Sequence, residues 1–131
     1  MFELVIKDVA YPLNFGMGFV RKLDKSVNIP VDGLPGVKKD IGLTYAIMSL
    51  LDNDIVMLST VIDIANEGQN PRLTQAAIDA YLEDEGTDIE ELFNKILGFF
   101  KSANCTKRTA ARVDAALKEV AMPEAETEEK I

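Results

Sequence analysis

The first fifteen residues alternate. Phe2, Leu4 and Ile6 are interleaved with Glu3, Val5 and Lys7, and after a turn at Asp8-Val9-Ala10 the apolar positions resume at Tyr11, Leu13 and Phe15. A period of two belongs to a strand with one covered face, so residues 2–15 read as a β-hairpin. Pro12 lacks an N–H and confines the second strand to an edge or to its own start. Two strands alone bury too little surface to be stable in water, so the hairpin must lie on helices.

From Gly18 the period lengthens. Phe19, Val20, Leu23 and Val27 fall at helical spacing opposite Arg21, Lys22, Asp24 and Lys25, predicting a first helix that ends near Asn28. Residues 29–36, IPVDGLPG, hold two prolines and two glycines and read as a loop. Asp40 is placed to cap a second helix through Leu51, apolar on nearly every side and so the expected central helix. Asp52-Asn53-Asp54 breaks the chain and caps a third, with Ile55, Leu58, Ile62 and Ala65 on one stripe and Gly68 at its end. Asn70-Pro71 is expected to open a fourth helix with Leu73, Ala77, Ile78, Tyr81 and Leu82 inward, stopped by Gly86. Thr87 and Glu90 match a capping box for a fifth, whose Ile89, Leu92, Phe93, Ile96, Leu97 and Phe100 recur at three and four up to about Ala103. Thr106 is a fair cap for a sixth, with a weaker stripe of Ala110, Val113, Leu117 and Val120; Pro123 is expected to end the order.

The elements add up to a mostly α (α+β) chain of five or six helices with the N-terminal hairpin packed on them. Residues 1–121 form a single globular domain (hairpin 2–15, helical part 18–121), and 122–131 an acidic, disordered tail. The length of 131 residues and the 47% apolar content suit one domain with a real core.

Charge changes the picture more by its distribution than by its total of −8. Residues 41–100 carry two basic and eleven acidic side chains, a net −9 that would repel a phosphate backbone, so nucleic acid is not an expected partner. The longest uncharged apolar-rich stretch, residues 41–51, is about half of a membrane span, and no signal peptide is expected at the N-terminus. A single cysteine, Cys105, and no histidine leave no internal disulfide, no Cys/His zinc set and no nucleophile–histidine pair. A cytoplasmic protein that is not an enzyme, with no metal and no cofactor, is the expectation.

Three motifs invite chemistry and fall short of it. Gly16-Met17-Gly18 follows a strand and precedes a helix, as a dinucleotide fingerprint does, but position 21 is arginine and the flanking strands are antiparallel. The acidic run 83–91 resembles a calcium loop around Gly86, yet its first and twelfth positions would be Tyr81 and Leu92, which supply no carboxylate. Lys107, Arg108 and Arg112 share one sector of the sixth helix; beside so acidic a domain they suit pairing with that acidic surface, or self-association with an acidic copy, better than DNA. Met48, Met57, Phe99 and Phe100 exceed what single core stripes need and are the candidate partner-binding residues.

Taken in order, NFGMGFVRKLDK, VDGLPGVKKDIGLTYAIMSLLDND, ANEGQNPRLTQAAIDAYLED and DIEELFNKILGFFKSANCTK resemble a tail assembly chaperone of long-tailed phages or prophages of Gram-positive bacteria, over residues 1 to about 120. The resemblance implies a non-catalytic protein that binds the tape measure protein, keeps it soluble and helps recruit tail tube subunits. It also implies a homo-oligomer in the host bacterial cytoplasm, absent from the mature virion. The alternative is a structural virion component such as a tail completion or connector protein.

Overall fold

In a computed structural model, the structure describes residues 2–130, with side chains described to Glu119. The hairpin forms as the alternation requires: β1 (Phe2–Ile6) pairs antiparallel with β2 (Val9–Leu13), Ile6 opposite Val9 and Phe2 opposite Leu13. The turn is shorter than expected, two residues, Lys7 and Asp8, both at positive φ (49° and 66°). That left-handed pair matches the twist of the flanking strands. Leu4 and Leu13 face the core.

Among the described residues six helices follow: α1 (Met17–Lys25), α2 (Gly42–Leu51), α3 (Ile55–Asn66), α4 (Gln75–Glu83), α5 (Ile89–Ser102) and α6 (Lys107–Lys130). The chain is thus mostly α with an N-terminal β-hairpin. Central α2 packs against α1, α3, α5 and α6. The acidic tail expected at 122–131 lies outside the residues whose side chains are described.

Four local expectations are corrected. Residues 29–36 are not simply a loop: β3 (Asn28–Pro30) and β4 (Lys38–Asp40) form a second antiparallel ribbon around them, closed by a Val31 N–H to Val37 carbonyl bond of 3.0 Å. Asp40, paired in that ribbon, does not cap α2; Asp24 of α1 does so across space, its Oδ1 accepting from the Leu43 N–H at 3.2 Å. Asn70-Pro71, a cis peptide, precedes α4 without opening it, and Thr74 is the cap, accepting from the Ala77 N–H at 3.1 Å. Asp88, and not Thr87, caps α5 through the Glu91 N–H at 3.0 Å, while the Thr87 hydroxyl donates to the Tyr81 carbonyl at 2.7 Å.

Two features hold hairpin to bundle. The rings of Phe2, Phe15, Phe19, Phe99 and Phe100 form a contiguous cluster with centroids 4.6–5.8 Å apart, joining β1, the β2–α1 link, α1 and α5. Edge-on and offset contacts of this kind add to the area that the rings bury. Asn66, fully buried at the end of α3, donates to the carbonyls of Pro12 (3.0 Å) and Pro71 (3.1 Å). Its Oδ1 accepts from the Leu73 N–H (2.6 Å) and Arg72 Nη1 (2.9 Å), so one side chain ties β2, α3 and the following loop together.

Candidate functional site

The aromatic cluster consumes two residues expected to meet a partner. Phe100 is fully enclosed between Phe15 and Phe19 and offers no surface to a partner, which corrects the expectation for it. Phe99 stacks on Phe15 and meets Phe2 edge-on, and Met57 is half-buried against the core. Met48 alone of the four stands out, 45% exposed on α2.

Around Met48 the structure gathers exposed apolar residues, two of which, Ile55 and Leu117, belong to the stripes that periodicity marks as inward. Tyr45 and Met48 on α2 and Leu117 on α6 line a groove of about 400 Å³, floored by Ser49 and Leu51 and rimmed by Asp52 and Asp54. At the next residue along the chain a second groove begins, of about 450 Å³, between Ile55, Val56, Ser59 and Thr60 of α3 and Gln75, Asp79, Leu82 and Glu83 on the α4 side. Val56 is 72% exposed, the most open large apolar side chain among the described residues. Single exposed apolar residues are ordinary, but five bordering two adjoining grooves form a patch of the kind that marks a protein-binding surface.

Local sequence explains why this corner stays open. The Asp54 carboxylate accepts from the Met57 N–H at 3.1 Å and starts α3 immediately after α2, so Ile55 and Val56 fall in the first turn. The stripe of Leu58, Val61, Ile62 and Ala65 turns to the core and leaves Val56 on the opposite side. The grooves carry four carboxylates, Asp52, Asp54, Asp79 and Glu83, and among the described residues no cation lines either.

The glycine pair and the basic residues are placed as follows. Gly16 is the N-cap of α1 in extended conformation, its N–H held by Asn14 Oδ1 at 2.9 Å, and Gly18 lies inside the helix. Lys107, Arg108 and Arg112 are exposed on α6 and make no ion pair among the described residues. No group of three or more His, Cys, Asp or Glu is placed to hold a metal ion among the described residues, and no helix there is long and apolar enough to cross a membrane.

A further groove, of about 780 Å³, separates the hairpin from α4 and the α4–α5 turn, with Tyr81 on its wall. Burial pushes the Tyr81 phenol above its usual value of 10.0, with Lys95 drawing it down and Glu91 raising it. The fold favours the neutral phenol, so the stabilisation is complete below pH 10 and is lost as pH rises beyond it. Tyr81→Phe should therefore flatten the alkaline arm of the stability–pH curve above about pH 10; an unchanged arm would show that other groups set it.

A family model described as phage tail assembly chaperone protein, TAC, matches residues 3–115. Among curated proteins and solved structures, nothing matches the chain.

Proposed function

The chain belongs to the phage tail assembly chaperone family, and from that premise we propose that it works by binding alone: it holds the tape measure protein soluble and helps recruit tail tube subunits around it. The supporting observation is the open apolar corner of α2 and α3, where Tyr45, Met48, Ile55, Val56 and Leu117 border two grooves whose charged lining, among the described residues, is acidic. A helical client segment with an apolar stripe flanked by lysine or arginine complements such a surface in both respects. The apolar contacts supply affinity, and the carboxylates supply orientation and a faster encounter.

No bond is made or broken in this reading, and it places the protein in the host cytoplasm during assembly and outside the finished particle. Co-expression with the tape measure protein of the same phage is expected to raise that protein's soluble fraction and to yield a complex that co-purifies. The acidic rim adds a second signature: the complex weakens as salt rises, since exposed charge pairs are screened. Recovery of this chain from purified virions would instead favour a structural component of the tail.

A further inference from the structure

The hairpin has two outer edges, and one is already used. β2 lies along the end of α3, where Asn66 donates to the Pro12 carbonyl at 3.0 Å and the Asn14 N–H donates to the Ala65 carbonyl at 2.8 Å. The edge of β1 is bare. A groove of about 430 Å³ runs beside Phe2, Glu3, Leu4 and Val5, with Thr87, Glu91 and Lys95 on its far side. β1 has no proline, and of its outward-directed residues only Glu3 is charged.

The two-residue turn fixes which backbone groups are free. Ile6 and Val9 close it as a hydrogen-bonded pair, so Leu4 and Phe2 also direct their N–H and C=O groups at β2, while Glu3 and Val5 direct theirs outward. A strand added antiparallel to this edge must likewise present outward-directed residues. For a second copy of β1, that condition admits registers that pair odd-numbered residues with odd-numbered ones. The one centred on Glu3 opposes two carboxylates, and the one centred on Leu4 sets Glu3 against Val5. The register centred on Val5 sets Val5 against Val5 and Leu4 against Ile6 on the inner face, and twice brings Glu3 beside Lys7, the first turn residue of the other copy.

We infer that β1 is the seam of a homodimer, paired antiparallel across a twofold axis at Val5. The run Glu3-Leu4-Val5-Ile6-Lys7 is self-complementary when reversed, in charge on the solvent face and in apolar character on the core face. Val5, 58% exposed in the single chain, is covered by its counterpart. The two hairpins become one four-stranded sheet, which removes the open edge and exceeds the two strands that are marginal alone. The surface is distinct from the α2–α3 corner, so this inference stands or falls independently of client binding.

Sedimentation equilibrium of the full chain over a range of concentrations tests it, with circular dichroism to verify the fold of each variant. The wild-type chain is expected to show a reversible monomer–dimer equilibrium. Glu3→Lys and Lys7→Glu each set like charges beside one another twice and should weaken dimerisation about tenfold, whereas the double swap should return to within about threefold of wild type. Val5→Pro removes an outward N–H without touching the β1–β2 ladder and should weaken dimerisation by about a hundredfold or more. A wild-type chain that stays monomeric overturns the inference, as do single swaps without effect or a double swap whose losses merely add. The swaps keep the test decisive if Val5→Pro disturbs the hairpin. Binding of extended peptides to this edge by a chain that never dimerises would also count against it.

Discussion

Asn66→Ala is expected to lower the unfolding free energy by about 3 kcal/mol, among the largest losses that a single side chain of this protein can cause. The side chain is fully buried and uses its whole hydrogen-bonding capacity: two N–H groups on the Pro12 and Pro71 carbonyls, and an oxygen shared by the Leu73 N–H and Arg72. Alanine leaves the Leu73 N–H and two carbonyls without that partner, and each buried orphan costs about 1–3 kcal/mol. A domain stable by about 5–15 kcal/mol loses a large share. Arg72→Ala should cost less, about 1 kcal/mol, because its ion pair with Asp63 is partly exposed and the Asn66 oxygen that loses its bond keeps the Leu73 N–H. The check is urea denaturation of both variants. A midpoint for Asn66→Ala indistinguishable from that of Arg72→Ala would refute the hub.

Gly42→Ala has an expected sign opposite to the one helix propensity gives. Gly42 opens α2, where replacing glycine by alanine would ordinarily stabilise by up to about 1 kcal/mol. In this structure a Cβ at Gly42 would collide with the Leu23 carbonyl oxygen and sit 2.8 Å from that of Asp24. Both obstacles are backbone, so the end of α1 and the start of α2 must separate, breaking the 3.2 Å cap from Asp24 to the Leu43 N–H. Overpacking of this kind costs about 1–3 kcal/mol and occasionally more. With the cap lost as well, the melting temperature is expected to fall by about 10 °C. A rise on calorimetric melting would mean that α1 and α2 do not approach as closely as described.

How much of this was legible in the sequence depends on which faces are covered. The N-terminal hairpin and the helices announced themselves because each buries a face, and burial imposes a period. The β3–β4 ribbon buries nothing, all six of its residues being exposed, so only the turn signals around Gly33 and Gly36 showed, and they read as a loop. The caps were misplaced where the true partner came from elsewhere: Asp24 reaches α2 from the preceding helix, 19 residues away from Leu43, which local spacing cannot reveal. Asn66 carries no signal of its own in the sequence, and its role emerges only once β2 lies against it.

The proposed partner surface was half legible. Excess apolar residues on the helices signalled that some must face outward, and Met48 does. Phe100 and Val56 could not be sorted, because periodicity gives the side of a helix but not what covers it. Phe100 is enclosed by rings from the β2–α1 link and α1, whereas Val56, one residue past the start of α3, has nothing above it. Had the run Asp54-Ile55-Val56 been read as a cap followed by a two-residue apolar first turn, the exposed pair would have been the sharper candidate.

The account rests on client binding at that corner, and the most direct measurement is the solubility of the co-expressed tape measure protein with and without it. Tyr45, Met48 and Val56 are 45%, 45% and 72% exposed, so their joint replacement by glutamate should leave the melting temperature within a few degrees of wild type. The wild-type chain is expected to bring most of the client into the soluble fraction and to co-purify with it. The triple variant is expected to fail at both, its affinity reduced about a hundredfold or more. A folded triple variant that solubilises and retains the client as well as wild type does would contradict the assignment of this surface. A wild-type chain that neither binds nor solubilises it would contradict the function itself.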